Sequence, residues 1–211
     1  MTTPLRERRR QMLRDEILQA AGALLNEKGY AAMSMDDLAT SAGISKPTLY
    51  THFANKEELI LAAVMHWFER VDEAVQNDPT PRTPLQQLTF ILRTVLQLQI
   101  DNGALSPRPW SPEILQIIRQ NESVLARLCQ VDTAISNIVQ AALASGEIDQ
   151  RLDAATVIYS FFAFIHTMHL PVFRLKILNF SDTDLPAFNP ETAASALAHV
   201  FEQGVRASAQ P

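Results

Sequence analysis

The sequence predicts an all-α chain, on three observations. Alanine and leucine, both strong helix formers, occupy 27 and 25 of the 211 positions, while glycine occupies only 6. Apolar residues recur at intervals of three and four along most of the length. Serine, asparagine, aspartate, glycine and proline stand where those stretches begin and end, as helix caps do.

In chain order, Ile17, Ala20, Ala21, Leu24 and Leu25 form the apolar face of a first helix over about 14–28, with Gly29 as its C-terminal stop. Ser34 ahead of Met35, Asp36 and Asp37 reads as the N-cap of a short second helix that runs to about Ala42. Gly43 supplies the positive φ of a sharp turn. Ser45 caps a third helix, with Pro47 in its first turn and its end near Phe53. Two short helices joined by a glycine-containing turn make a helix-turn-helix, interlocked by Leu38, Ala39, Ile44 and Leu49. A small residue at Ala39 lets the two helices cross closely.

A long fourth helix opens at Lys56, with Leu59, Ala63, Val64, Trp67, Phe68, Val71 and Val75 as its stripe, and stops at Asn77-Asp78-Pro79. The proline-rich stretch 79–84 follows as a connection. The remaining expected elements are helices over 85–100, 113–120 and 121–145, the last with a seam of Val124, Leu128, Val131, Ile135, Ile138 and Ala142 before Gly146. A further helix capped by Asp153 should break at Pro171 and continue toward Leu178, and a last one should run from Asn189-Pro190 to about Arg206. No internal repeat is present. The total is about nine or ten helices.

The formal net charge of -5 hides a split. Residues 1–14 carry five arginines against one glutamate, whereas residues 61–211 carry 10 basic and 15 acidic side chains. A basic tip of this kind is either an arm attracted to phosphates or a solvated terminus. A single cysteine, Cys129, excludes a disulfide scaffold and fits a reducing, cytoplasmic setting. The longest apolar run, Ala154 to Ile165, falls short of the roughly 20 residues of a membrane span, and the charged N-terminus lacks a signal-peptide core. No membrane association is expected.

The run Gly43-Ile-Ser-Lys-Pro-Thr-Leu-Tyr-Thr-His-Phe53 followed by Lys56-Glu-Glu-Leu59 resembles the helix-turn-helix signature of the TetR/AcrR family of bacterial transcription regulators, over about residues 14–60. The resemblance implies a third helix that enters the major groove, closed by Tyr50, His52 and Phe53, and a Lys56 that grips phosphate. It also implies an all-α fold: a DNA-binding domain over 1–55 with its basic arm, then a helical-bundle domain over 56–211 for ligand binding and dimerisation, entered by a linking helix 56–77. A homodimeric repressor is the expected function, released from a palindromic operator by a small effector.

By side-chain type, Lys46 suits guanine O6 or N7, and Thr48 suits a base edge or a thymine methyl. Ser34, Ser45, Tyr50, His52 and Lys56 suit phosphate, with Pro47 and Thr51 completing the contact surface. A single module makes few base contacts, so two copies on a palindromic site are expected. Ala194, Leu197, Ala198, Phe201 and Val205 form a stripe suited to the dimer interface. Phe90, Trp110, Phe161, Phe164, His166 and Met168 are candidates for a mostly apolar effector pocket, though aromatics at helical spacing also serve as plain core. The net negative charge of this half weakly favours a neutral or cationic effector. His166 and His169 share a helical face, but two further ligands for a metal are missing from the sequence pattern, so neither metal nor cofactor is expected. No Gly-rich phosphate loop, paired-carboxylate motif or nucleophile elbow supports the competing reading, an all-α enzyme. A regulator without a ligand, or an activator, stays open as an alternative.

Overall fold

A computed structural model describes residues 5–101, 111–166 and 190–207. Among them lie nine helices: α1 (Leu5–Ala32), α2 (Met35–Ser41), α3 (Lys46–His52), α4 (Lys56–Gln76), α5 (Pro84–Asp101), α6 (Pro112–Arg119), α7 (Glu122–Ala144), α8 (Ala154–His166) and α9 (Pro190–Val205). The described residues form no strand beyond one isolated antiparallel bridge between Ile148 and Arg206.

The caps read from the sequence close these helices. Ser34 and Asp37 form a reciprocal capping box at the start of α2, and the Ser45 hydroxyl accepts the Thr48 N–H at the start of α3. The Asn55 and Asp153 side chains accept from Glu58 N and Thr156 N, each at 2.8 Å, and so open α4 and α8. Gly43 has φ 66°, which lets the chain turn so that Ile44 N reaches Ala39 O at 3.0 Å.

One boundary differs from expectation. α1 starts at Leu5 rather than near Arg14, so the arginine-rich segment is helical, in keeping with the good helix propensity of arginine. Gly29, at φ 78° and ψ 169°, interrupts α1 where a stop was expected, and one further turn follows before α2. The expected break at Pro171 and the continuation to Leu178 lie outside the described residues.

The chain divides into two compact units, Met1–Arg70 with Asn102–Ala126, and Val71–Asp101 with Arg127–Pro211. The core of the first unites Ile17, Leu18, Ala21 and Leu24 of α1 with Met33, Leu38, Ala39, Leu49, Phe53, Leu59 and Ile60. Ile114 of α6 packs against this cluster. Each fully buried leucine, isoleucine or phenylalanine contributes roughly 1.5–3 kcal/mol relative to exposure.

In the second unit α5 and α9 pack along each other more extensively than any other pair. Leu85, Leu88, Leu92 and Leu96 face Ala194, Ala198, Phe201 and Val205 within one cluster that also takes in α7 and α8. Phe161 meets Phe162 and Phe201 edge to face at 5.5 and 5.9 Å, and Phe164 meets Phe201 at 5.6 Å. The α7 seam is slightly rotated from the one read in sequence: Val139 is fully buried and Ile138 only partly so.

Candidate nucleic-acid interface

Helical geometry sorts α3 into two faces. Leu49 and the following Phe53 are fully buried, which turns Lys46, Pro47, Tyr50 and Thr51 outward together. Thr48 and His52 are half-buried at the flanks. The result is a short helix whose base is locked by packing and whose polar face is open, as groove insertion requires.

Several of the polar side chains already have local partners. The Ser34 hydroxyl donates to Asp37 Oδ2 at 2.8 Å while accepting Asp37 N at 3.0 Å, and Lys28 lies 3.3 Å from the same carboxylate. The Ser34 bonds first, and Lys28 second, hold Asp37 below its usual carboxylate range. Ser45 Oγ and Thr48 Oγ1 pair at 2.8 Å, and Thr51 Oγ1 donates to Thr48 O at 2.6 Å. Hydroxyls engaged in this way order the helix starts and leave first-turn backbone N–H groups pointing outward. Lys46 Nζ pairs with Asp36 Oδ2 at 2.5 Å, with both side chains more than half exposed.

Lys56 is committed inside the unit. Its ammonium donates to the Tyr30 carbonyl and lies 4.0 Å above the centre of the Tyr30 ring. Burial pulls its pKa below the usual lysine range. Burial, then the charges of Glu57 and Glu113, push the Tyr30 phenol up. Lys56 thus ties the start of α4 to the turn that follows Gly29.

Two arginines of the basic arm, which the sequence marked as attracted to phosphates without placing them, lie near α3. Arg14 Nη1 donates to the His52 carbonyl at 3.0 Å, and its guanidinium lies 4.3 Å above the Phe53 ring. Burial, followed by the charges of Arg10 and Arg14, holds His52 below the ordinary imidazole range. The arginine count marked the segment, and the continuation of α1 back beyond Arg14 carries Arg10 on the same helix.

The residues expected for an effector pocket separate. Phe161 is fully buried among Phe162 and Phe201, and Phe164 is half-buried beside them. Phe90 is buried under the guanidinium of Arg82, which lies 3.5 Å from its ring centre. His166 is exposed at the end of α8. Trp110, Met168 and His169 lie outside the described residues.

The stripe expected at the dimer interface points inward. Ala194, Ala198, Phe201 and Val205 are buried against the chain's own α5 and α8, with Leu197 half-buried next to them, because this row is the most apolar face of α9. Its outer row is Ala196, Val200 and Gly204, matched on α8 by the exposed Ala155, Tyr159 and Ala163. Val200 is 58% and Tyr159 75% exposed.

Gln99 was missed by the sequence reading. It lies on the inward face of α5, about 20° around the helix from Leu88 and from Leu92, and its buried Oε1 has no hydrogen-bond partner among the described residues. A polar residue at an apolar register position was the available signal. Among the described residues no three His, Cys, Asp or Glu side chains are grouped to hold a metal ion, and no helix is long and apolar enough to cross a membrane.

Comparison with known proteins bears on the first unit above all. Residues 17–63 match the N-terminal family model of bacterial regulatory proteins of the tetR family. The chain is 37% identical over 82 residues to the HTH-type transcriptional repressor KstR of Rhodococcus jostii (strain RHA1), a stretch covering 39% of this chain and 38% of the repressor. The chain thus spans well under half the length of that relative. A bacterial regulatory protein in the tetR family from Rhodococcus RHA1 superposes with a TM-score of 0.64 at 20% identity, over 93% of this chain and 98% of its own. AibR, solved with isovaleryl coenzyme A and operator DNA, superposes with a TM-score of 0.58 at 22% identity, over 89% of this chain and 97% of its own.

Proposed function

From a chain whose residues 17–63 belong to the tetR family of bacterial regulatory proteins, we propose a homodimeric transcriptional repressor that binds a palindromic operator through α3 and is released by a small, mostly apolar effector. The observation that carries this reading is the open face of Lys46, Pro47, Tyr50 and Thr51 on a helix anchored by Leu49, with Arg10 and Arg14 at its end. Lys46 and Thr48 read base edges. The helix starts at Ser34 and Ser45, together with Tyr50 and His52, hold the backbone, while Lys56, expected there from the sequence, is engaged by Tyr30 and positions the start of α4 instead. Arg10 and Arg14 add charge beside them. His52, neutral at pH 7, contributes as a hydrogen-bonding group.

Lys46 must exchange Asp36 for DNA. An exposed ion pair is worth at most about 1 kcal/mol, so the exchange costs little. The outer rows of α8 and α9 support dimerisation, since each sets a large apolar side chain between two alanine or glycine positions that permit close approach. Gln99 supports an effector site in the second unit, as its unpartnered oxygen would accept from a ligand donor. The relatives named above are transcriptional regulators, which speaks against an all-α enzyme.

Selection of bound sequences from random duplex DNA, followed by a symmetry analysis of the enriched motif, tests the proposal. A palindrome with a steep salt dependence is expected, and binding without enrichment at low salt would overturn it. Asp36→Asn should raise affinity for all sequences by up to about fivefold, whereas Thr48→Ala should change the ranking among sites.

A further inference from the structure

The second unit contains a groove that the operator-and-effector reading does not use. The residue 77–83 connection closes one end of it, and facing rows of α5 and α9 form its walls. Gln86, Phe90 and Arg93 recur along α5 at helical spacing, as Ser195, His199 and Glu202 do along α9. The space between them is about 410 Å³, within the range of small-molecule sites.

The electrostatics of this groove run against the rest of the unit. Arg82 is fixed at its base, stacked on Phe90 and bonded to Asp78 Oδ2 at 2.6 Å, to the Thr80 carbonyl at 2.9 Å and to the Asp78 carbonyl at 3.2 Å. Only 12% of its side chain is exposed. The one carboxylate lining the groove, Glu202, is paired with Arg206 just past the end of α9. Arg93 lies 5.8 Å from the centre of the same Phe90 ring, and no carboxylate pairs with it among the described residues. Gln86 uses its oxygen to accept Thr83 N at 3.0 Å, which leaves its amide N–H groups available. Ser195 and His199 add further donors. The acids are therefore neutralised in advance, while one guanidinium and several neutral donors converge on the open space.

We infer that this groove binds a small organic anion, a carboxylate or phosphate monoester, with Arg93 as its charge partner and Gln86, Ser195 and His199 as hydrogen-bond donors. An anion fits because the wall groups are mostly donors, and a guanidinium matches carboxylate and phosphate geometry in a fork. Pro81 and Ala198 supply the apolar wall for the rest of the molecule. The ligand class is opposite in charge to the one suggested by the net negative charge of this half of the sequence.

Isothermal titration of the full-length protein without DNA, at low ionic strength and pH 7, tests the inference independently of operator binding. The probes are 4-nitrophenyl phosphate and 4-nitrobenzoate, with 4-nitrobenzyl alcohol as the neutral control. Both anions should bind at least about tenfold more tightly than the alcohol, and Arg93→Gln should remove most of that advantage. Arg93→Lys should retain part of it. Arg151→Gln, which removes an equal charge outside the groove, should leave binding unchanged. Arg93 is exposed, so an unchanged melting temperature will show that its variants are folded. Three results would each overturn the assignment: no anion binding, equal affinity for the alcohol, or equal losses in Arg93→Gln and Arg151→Gln.

Discussion

The two compact units use polar side chains in opposite ways. In the first, Ser34 with Asp37 and Ser45 with Thr48 satisfy one another three residues apart along the chain, so the starts of α2 and α3 are closed by local polar contacts over a core shared with α1 and α4. In the second, the principal contacts join α5 to α9, about a hundred residues later, and its buried amide at Gln99 has an oxygen that none of the described residues satisfies. Local polar closure fixes the starts of α2 and α3. A long-range apolar core with an unmatched polar atom leaves room for a response to a bound molecule.

The contrast is broken most severely by Phe201→Ala, which removes the common edge-to-face partner of Phe161 and Phe164. A loss of about 3–5 kcal/mol is expected in urea unfolding, with amide-exchange protection of α2 and α3 largely retained. Equal loss of protection in α2 and α3 would show that the two units unfold together. Gly43→Ala acts on the other side of the comparison. Nothing lies within 4 Å of the added methyl group, so the cost of about 1–2 kcal/mol comes from the positive φ alone. Thermal unfolding followed at the first unit would record it.

Gln99→Met should stabilise the free protein by about 1 kcal/mol, because it removes an orphaned oxygen at nearly constant volume. A measured loss of stability would mean that the amide has a structural role. The smallest effect is the pH dependence of the first unit. His52 titrates lower in the folded chain than when unfolded, so the unfolded state binds more protons between the two values. Stability is complete above the unfolded pKa of about 6.5 and falls as the pH drops through the lowered folded value. His52→Gln should flatten that part of the denaturation profile.

The same contrast explains what could be read from the sequence. Ser34, Gly43, Ser45 and Asp153 act on their own backbone neighbourhoods, and each marked its helix boundary correctly. The α9 stripe had the right period but no partner attached to it: Ala194, Ala198, Phe201 and Val205 suit a second copy or the chain's own α5 equally well, and only the tertiary packing decides. Phe90 similarly signalled burial without revealing the arginine stacked on it. Arg14 and Lys56 showed charge in the sequence, yet their geometry depends on the His52 and Tyr30 carbonyls, 38 and 26 residues away.

The pair between Lys46 and Asp36 also has a kinetic side. A reading head that carries its own counter-ion is less adhesive to random sequence than its lysine alone would make it, because every transient contact with phosphate competes against a tethered carboxylate. Dwell times on incorrect sites shorten, and the protein leaves them sooner. A site where the neighbouring α3 contacts also form bears the same cost, and those further contacts still hold the protein there. Under the proposed function, Asp36 trades residence on DNA for speed of search.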